Sequence, residues 1–276
     1  MTHKECIQQG RNALKHIDTC KLDCDILMCH ILKVSTIDLI VNNYFLSNDQ
    51  EKDFFKLIDE RKNLKPIAYI LKKKEFMGLD FYVDENVLIP RPDTEILVEE
   101  TLKIIKEYSL KNFLEIGSGS GCIAIALSYY SKIYGTSVDI FEENINICKK
   151  NAKKNNVESL SFVHSDIYEN INDTYDLIIS NPPYIDKNDY STLGKNVVDY
   201  EPNIALFAEN EGMYFYEKII SSASLYLKDN GFIAFEIGYN QKDKVISLLT
   251  ENNFVDIKSY KDYGNNDRVV IGRLKR

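Results

Sequence analysis

From Lys111 onward the chain alternates short apolar runs with amphipathic ones, and this alternation limits the possible folds more than any other feature. The spacing predicts strands at 113–116, 134–140, 160–164, 175–180, 232–237, 255–260 and 269–272. Helices are expected at 121–130, 143–155, 213–227 and 241–252. Strands that are apolar throughout and are joined through helices belong in a mostly parallel sheet covered on both faces. The expected class is therefore α/β. In such sheets ligands bind beyond the carboxyl ends of the strands, at a topological switch point.

The first 72 residues read differently. Ile7, Leu14 and Ile17, then Ile26, Leu27, Ile31 and Leu32, recur at helical spacing. Ser47 followed by Gln50 has the form of a capping box ahead of Phe54, Phe55 and Ile58. Pro66 suits the start of a short helix over 67–71. From Glu75 the period shortens to two, and Phe76, Phe81 and Val83 flank a Met77-Gly78 turn. After Pro90 and Pro92, Asp93 or Thr94 is expected to cap the next helix. The division expected is a helical domain at 1–72, a β-hairpin and extended linker at 73–92, and an α/β domain at 93–276. The helical domain shows no chemistry of its own, and its role is either packing or gripping a macromolecular substrate.

Thirty-four basic residues against 42 acidic ones give a net charge of −8, which argues against broad binding to nucleic acid. No apolar run approaches a membrane span, and Met1-Thr2-His3-Lys4-Glu5 leads into a charged helical pattern, so a cytoplasmic protein is expected. Cys6, Cys20, Cys24, Cys29, Cys122 and Cys148 include no C-x-x-C pair, and no metal is expected.

Two motifs carry the chemistry. Gly117-Ser118-Gly119-Ser120-Gly121 follows the first strand of the α/β region and opens a helix. Its glycines allow tight turning and close approach to a ligand. A dinucleotide loop would place its last glycine at position 122, which is Cys122, so the spacing points to an aminoacyl nucleoside instead. Asp139 ends the next strand, where a carboxylate can accept both ribose hydroxyls. Asp166 follows the third, placed to accept from an adenine amino group while Ile167 covers the base. The second motif is Asn181-Pro182-Pro183-Tyr184. Each proline ring fixes its φ and removes a donor, leaving the Asn181 side chain and the Pro182 carbonyl to converge as acceptors on one planar NH₂ group. Tyr184 would supply a ring to stack on a flat substrate. The bland alternative is a rigid strand-to-loop turn, and strand-end acids often only cap loops. In this order, however, the acids, the glycines and Asn181 describe an S-adenosyl-L-methionine site.

With these residues in place the chain resembles the peptide chain release factor glutamine methyltransferases (the PrmC/HemK group). The resemblance covers nearly the whole length. It includes Pro66-Ile67-Ala68-Tyr69-Ile70, Ile89-Pro90-Arg91-Pro92-Asp93-Thr94-Glu95, Tyr200-Glu201-Pro202, Lys261-Asp262-Tyr263-Gly264 and Asn266-Asp267-Arg268. It implies a class I, Rossmann-like methyltransferase domain with a seven-stranded sheet behind a helical recognition domain. The implied activity is methylation of the side-chain nitrogen (N5) of the glutamine in the Gly-Gly-Gln tripeptide of class I release factors. Gly117 to Gly121, Asp139, Asp166, Ile167 and Asn181 would then meet the cofactor, and Asn181, Pro182, Pro183 and Tyr184 would hold the glutamine. Ile167 stands where the family often has an aromatic residue. The expected partner is a release factor, with no stable nucleic-acid binding, no membrane association, and a monomeric state. The nearest alternative is an adenine-N6 methyltransferase acting on a flipped base, which would want a basic, aromatic recognition region. A more distant one is a scaffold that binds the cofactor without catalysis.

Overall fold

The computed structural model describes residues 1–275 and divides into two units. One comprises Met1–Lys72 with Gly194–Tyr200, the other Lys73–Leu193 with the residues from Glu201 on. The first unit holds α1 (His3–Ala13), α2 (Cys20–Leu32), α3 (Thr36–Val41), α4 (Asn48–Lys62) and α5 (Ile67–Leu71). Three of these helices start in capping boxes, Thr2 with Glu5, Ser35 with Asp38, and Ser47 with Gln50, each satisfying two backbone donors reciprocally. Leu14, Leu27, Met28, Phe54 and Ile58 form the centre of its core. Arg61 closes α4 by pairing with the buried Asp23 at 2.7 Å and donating to the carbonyls of Leu64 and Lys65.

The second unit opens with β1 (Lys74–Phe76) and β2 (Leu79–Phe81). Their two-residue turn has Met77 and Gly78 at φ 51° and 70°, the sign that matches the twist of a hairpin. Phe76, Leu79 and Phe81 are core residues of this unit, so the segment expected as a linker is packed into it. Then follow α6 (Pro92–Tyr108), β3 (Asn112–Ile116), α7 (Cys122–Ser131), β4 (Tyr134–Asp139), α8 (Glu142–Lys154), β5 (Leu160–His164), β6 (Tyr175–Ser180) and β7 (Ile185–Asp186). After α9 (Lys195–Val198), which belongs to the first unit, come β8 (Phe207–Ala208), α10 (Tyr214–Tyr226), β9 (Leu227–Glu236), α11 (Lys242–Glu251), β10 (Phe254–Lys261) and β11 (Asp267–Leu274).

Seven strands form one sheet in the order β10-β11-β9-β6-β3-β4-β5. Only β11 runs against its neighbours; the pairs from β9 to β5 are parallel. This is the mostly parallel seven-stranded sheet that the family resemblance implied. Side chains alternate between its two faces, as a pleated strand requires. Leu177 and Ile179 join the cluster under α6 and α7, while Ile178 joins the one under α10 and α11. The expected start of α6 needs correction. Its N-cap is Arg91, in extended backbone, and Asp93 and Thr94 lie inside the first turn. Pro92 explains the shift: its φ suits the first helical position, where no donor is needed.

Two features of β3 and β4 make the core testable. Gly135 on β4 faces Phe113, and an added Cβ would lie 2.3 Å from Phe113 Cζ and 2.8 Å from Leu160 Cδ2. Since Phe113 is wholly buried and cannot swing away, Gly135→Ala should destabilise the protein by about 1–3 kcal/mol. An unchanged urea midpoint would contradict this packing. Glu115, central in β3, is 1% exposed. Desolvation pushes its carboxyl up to about 8, against the hydrogen bond from the Ser137 hydroxyl. Because the folded-state value is raised, the protonated acid's contribution is present at low pH and is lost as pH rises through that value. Wild type should therefore lose stability relative to Glu115→Gln between about pH 5 and about pH 9. Parallel curves for the two proteins in unfolding titrations would rule out a buried, neutral Glu115.

Candidate active site

The sheet switches direction between β3 and β6. After β3 the chain builds β4 and β5 on one side, then returns to lay β6 on the other. The loops leaving the carboxyl ends of β3 and β6 therefore diverge and open a crevice. Ile116 pairs with Ser180 at that end, and the wholly buried Ser180 hydroxyl donates to the Ile116 carbonyl at 2.7 Å. Above this pair lies a cavity open to solvent, with about 1110 Å³ of non-atom space counting its solvent mouth. Gly117, Ser118, Gly119, Ser120, Asp139, Asp166, Ile167, Asn181, Pro182 and Pro183 all line it. Gly121 and Tyr184 do not.

The glycine loop shows why its residues are small. Gly117 and Gly119 have φ of 80° and 51°, a region L side chains rarely adopt, and the space where their Cβ atoms would stand is open. Gly121, also at positive φ, is the N-cap of α7, and a Cβ there would meet Cys148 Sγ at 3.0 Å. It serves the packing of α7 on α8 instead of the cavity.

Asp139 binds the loop to the sheet. Its Oδ2 accepts from the Gly119 N–H at 2.8 Å and from the Ser118 hydroxyl at 3.5 Å. Its Oδ1 accepts from the Phe141 N–H and the Asn144 amide, both at 3.0 Å. Burial raises its proton affinity, and these four donors oppose the rise. The carboxylate is thus nearly saturated by protein groups. The long contact from Ser118 is the place where a ligand hydroxyl could enter.

The turn after β5 presents Asp166 and Ile167. Ile167 has φ 49°, a strained conformation for a β-branched residue. The turn is held by the Glu169 N–H on the Asp166 carbonyl (2.9 Å) and by Ser165, whose hydroxyl donates to the Ile167 carbonyl (3.3 Å) and accepts from the Asn170 N–H (3.0 Å). Strain held in this way keeps an apolar side chain and an exposed carboxylate at the cavity wall.

At the end of β6, Asn181 Nδ2 donates to Thr94 Oγ1 at 3.2 Å. Thr94 is buried in the first turn of α6 and also lines the cavity. Tyr184, expected to stack on a flat substrate, is not among the residues lining the cavity. Its hydroxyl donates to Glu236 Oε1 at 3.2 Å and accepts from Arg268 Nη1 at 3.4 Å. Its carbonyl accepts from Gln241 Nε2 at 2.9 Å, and the Gln241 Oε1 accepts from the Gly238 N–H at 2.9 Å. These contacts hold the Tyr184 hydroxyl against Glu236 on β9. Burial beside Glu236 pushes the Tyr184 hydroxyl well above its ordinary value. Burial also raises Glu236, while Thr94 and Arg268 oppose the rise.

Thr94, Glu236 and the Arg91–Glu201 pair escape a reading of the sequence. The buried Glu201 accepts from Arg91 and from the Ile89 N–H (3.2 Å), tying the segment before α6 to the chain around Pro202. Arg91 and Thr94 belong to a motif visible in the sequence, but nothing local says that Thr94 faces a residue 87 positions away.

Residues 5–71 match the family model of the PrmC N-terminal domain, and residues 92–200 that of the Methyltransferase small domain. A release factor glutamine methyltransferase of Fusobacterium nucleatum is 42% identical over 257 residues, spanning 91% of this chain and 73% of the relative. Another, from Clostridium botulinum, is 39% identical and spans 99% of both chains. Among solved structures, a methyltransferase from Pyrococcus furiosus is similar with a TM-score of 0.55 at 20% identity, over 80% of this chain and 98% of that one, which is a likeness of fold.

Proposed function

This chain belongs to the release factor glutamine methyltransferase family, and we propose that it methylates the side-chain amide nitrogen (N5) of the glutamine in the Gly-Gly-Gln tripeptide of class I peptide chain release factors. What supports the reading is one cavity lined by a glycine loop, a buried strand-end carboxylate and an Asn-Pro-Pro turn, in a chain related to such enzymes along its length. The residues suit S-adenosyl-L-methionine. Open space stands beside Gly117 and Gly119, and the long Ser118 contact to Asp139 is one that a ligand hydroxyl could replace. Gly117 to Ser120, Asp139, Asp166 and Ile167 would hold this cofactor, with Asn181 at its reactive end. When bound, it supplies an electrophilic methyl group on a positively charged sulfur.

The chain's own task is then positioning. An amide nitrogen is a poor nucleophile because its lone pair is delocalised into the carbonyl. Asn181 Oδ1 and the Pro182 carbonyl accept its two N–H bonds and hold the nitrogen in one orientation. Placement of this kind contributes up to roughly 7–11 kcal/mol. The same acceptors stabilise the positive charge that develops on nitrogen. Pro182 and Pro183 keep the two acceptors from drifting apart. The helical unit over 1–72 is read as the recognition domain for the release factor. It exposes Ile37, Ile40, Val41 and Phe45 to solvent, and the net charge of −8 suits a basic partner.

Incubation with release factor and S-adenosyl-L-methionine should add a mass of about 14 Da, one methylene equivalent, on the Gly-Gly-Gln glutamine, and peptide mass spectrometry locates it. No shift from a preparation that binds the cofactor would sink the substrate assignment. Asn181→Ala should lower kcat by about 100-fold or more while leaving cofactor binding nearly intact. Asp139→Ala should instead raise the apparent cofactor constant by about 10-fold or more, since it removes charge-assisted hydrogen bonds. An effect of Asp139→Ala confined to kcat would contradict its place in the cofactor site.

A further inference from the structure

Asp139 and Asp166 answer to the ribose and adenine of S-adenosyl-L-methionine, which leaves the carboxylate of its aminoacyl end to be met. A carboxylate taken out of water needs strong donors. The glycine loop has few to give, because most of its N–H groups are spent within the fold. Those of Gly117 and Ser118 both donate to the Val138 carbonyl at 2.9 Å, and that of Gly121 to the Ser118 carbonyl at 2.7 Å. The Gly119 N–H donates to Asp139 at 2.8 Å. Of the charged side chains at the cavity, Asp139 and Asp166 repel a carboxylate, and Arg91 is the one cation among the described residues that line it.

The order of the strands sets these charges apart. Asp139 and Asp166 leave β4 and β5 on one side of the glycine loop, and Asn181 leaves β6 on the other. Arg91 belongs to the Asn181 side: it is the N-cap of α6, whose first turn carries Thr94 against the Asn181 amide. Its side chain is 34% exposed and is fixed from behind. Nη2 donates to Glu201, whose side chain is 1% exposed and also accepts the Ile89 N–H at 3.2 Å. One edge of the guanidinium is thus committed. The rest of its five-donor planar fork has no partner among the described residues. Such an edge matches a carboxylate in both shape and charge.

We propose that Arg91 binds the carboxylate of the aminoacyl end of S-adenosyl-L-methionine, with Glu201 as the positioning residue that holds the guanidinium in place. This assignment rests on the cofactor reading given above and adds what orients the ligand. Acids draw its hydroxyls and amino group on one flank of the crevice, and a cation draws its carboxylate on the other, so it lies only one way round.

Calorimetry on the full-length protein, with S-adenosyl-L-methionine and its decarboxylated form, tests this without turnover. Decarboxylation should cost wild type about 10- to 100-fold in affinity. Arg91→Met keeps an apolar stem and removes the donors. It should lose about 10- to 100-fold for S-adenosyl-L-methionine and bind the decarboxylated form no more weakly than wild type does. The two losses are then not additive, which a packing role for Arg91 would not produce. Arg91→Gln can still donate to Glu201 and takes the same test should Arg91→Met fail to fold. Equal affinity of wild type for the two ligands overturns the proposal. So does an Arg91→Met protein that discriminates between them as wild type does, which would move the carboxylate to the first turn of α7. Wild type that discriminates as expected but is inert towards release factor refutes the substrate assignment alone. Wild type that binds neither ligand refutes the cofactor reading, and the proposal with it.

Discussion

The parallel pairing of β3 with β6 is the constraint on which the site depends. Both strands lie in the middle of the sheet with their apolar side chains out of water on both faces. A slip of one residue would carry each of those side chains to the opposite face, so the register is strongly specified. With Ile116 opposite Ser180, the glycine loop and the Asn181 turn leave the sheet at the same height and bend apart. The Ser180 hydroxyl closes the carbonyl of Ile116 that the departing chain would otherwise leave open. The crevice follows from this arrangement, and no side chain has to be invoked to open it.

Around that crevice the fold tolerates carboxyl groups where water is nearly absent. Glu115, Asp139 and Glu236 are each at most 7% exposed, and burial raises the proton affinity of all three. An ionised carboxylate in such surroundings is costly unless donors surround it. Asp139 meets this requirement through four donors, which also fix the glycine loop and the start of α8. Glu236 meets it only in part, with the Tyr184 hydroxyl on Oε1 and the guanidinium of Arg268 nearby, while Oε2 has no partner among the described residues. Glu115 keeps the Ser137 hydroxyl and lies deepest in the sheet. The acids differ in what they hold: Asp139 a loop, Glu236 the Tyr184 hydroxyl, and Glu115 the interior of a strand.

Much of this was legible in the sequence because it is local. The glycine spacing, the acids at strand ends and the double proline each act through the backbone of a few neighbouring residues, and the structure gathers Gly117 to Ser120, Asp139, Asp166, Ile167 and Asn181 to Pro183 at one cavity. The Ser47–Gln50 capping box is equally local and formed as expected. Expectations weakened where a side chain had two directions open to it. The Asn-Pro-Pro-Tyr pattern suggests a Tyr184 ring stacked on a flat substrate, and only the structure shows its hydroxyl and carbonyl held by Glu236, Arg268 and Gln241. The sequence offers Asp93 or Thr94 as the helix cap, but Pro92 sets the helix start ahead of both, and Thr94 meets Asn181 instead.

The residue pattern by itself determined the α/β class, the alternation that makes the sheet mostly parallel, and the residue types that two loops bring to its carboxyl edge. These follow from periodicity and from glycine and proline backbones, which act over a few residues. Tertiary packing alone decided what holds the Tyr184 hydroxyl, which hydroxyl meets the Asn181 amide, and that Gly121 packs against α8 and does not line the cavity. Those outcomes depend on groups 27 to 87 positions apart in the chain. Hydrogen-bond direction between such groups is set by their closeness in space and by which of them can only donate or only accept.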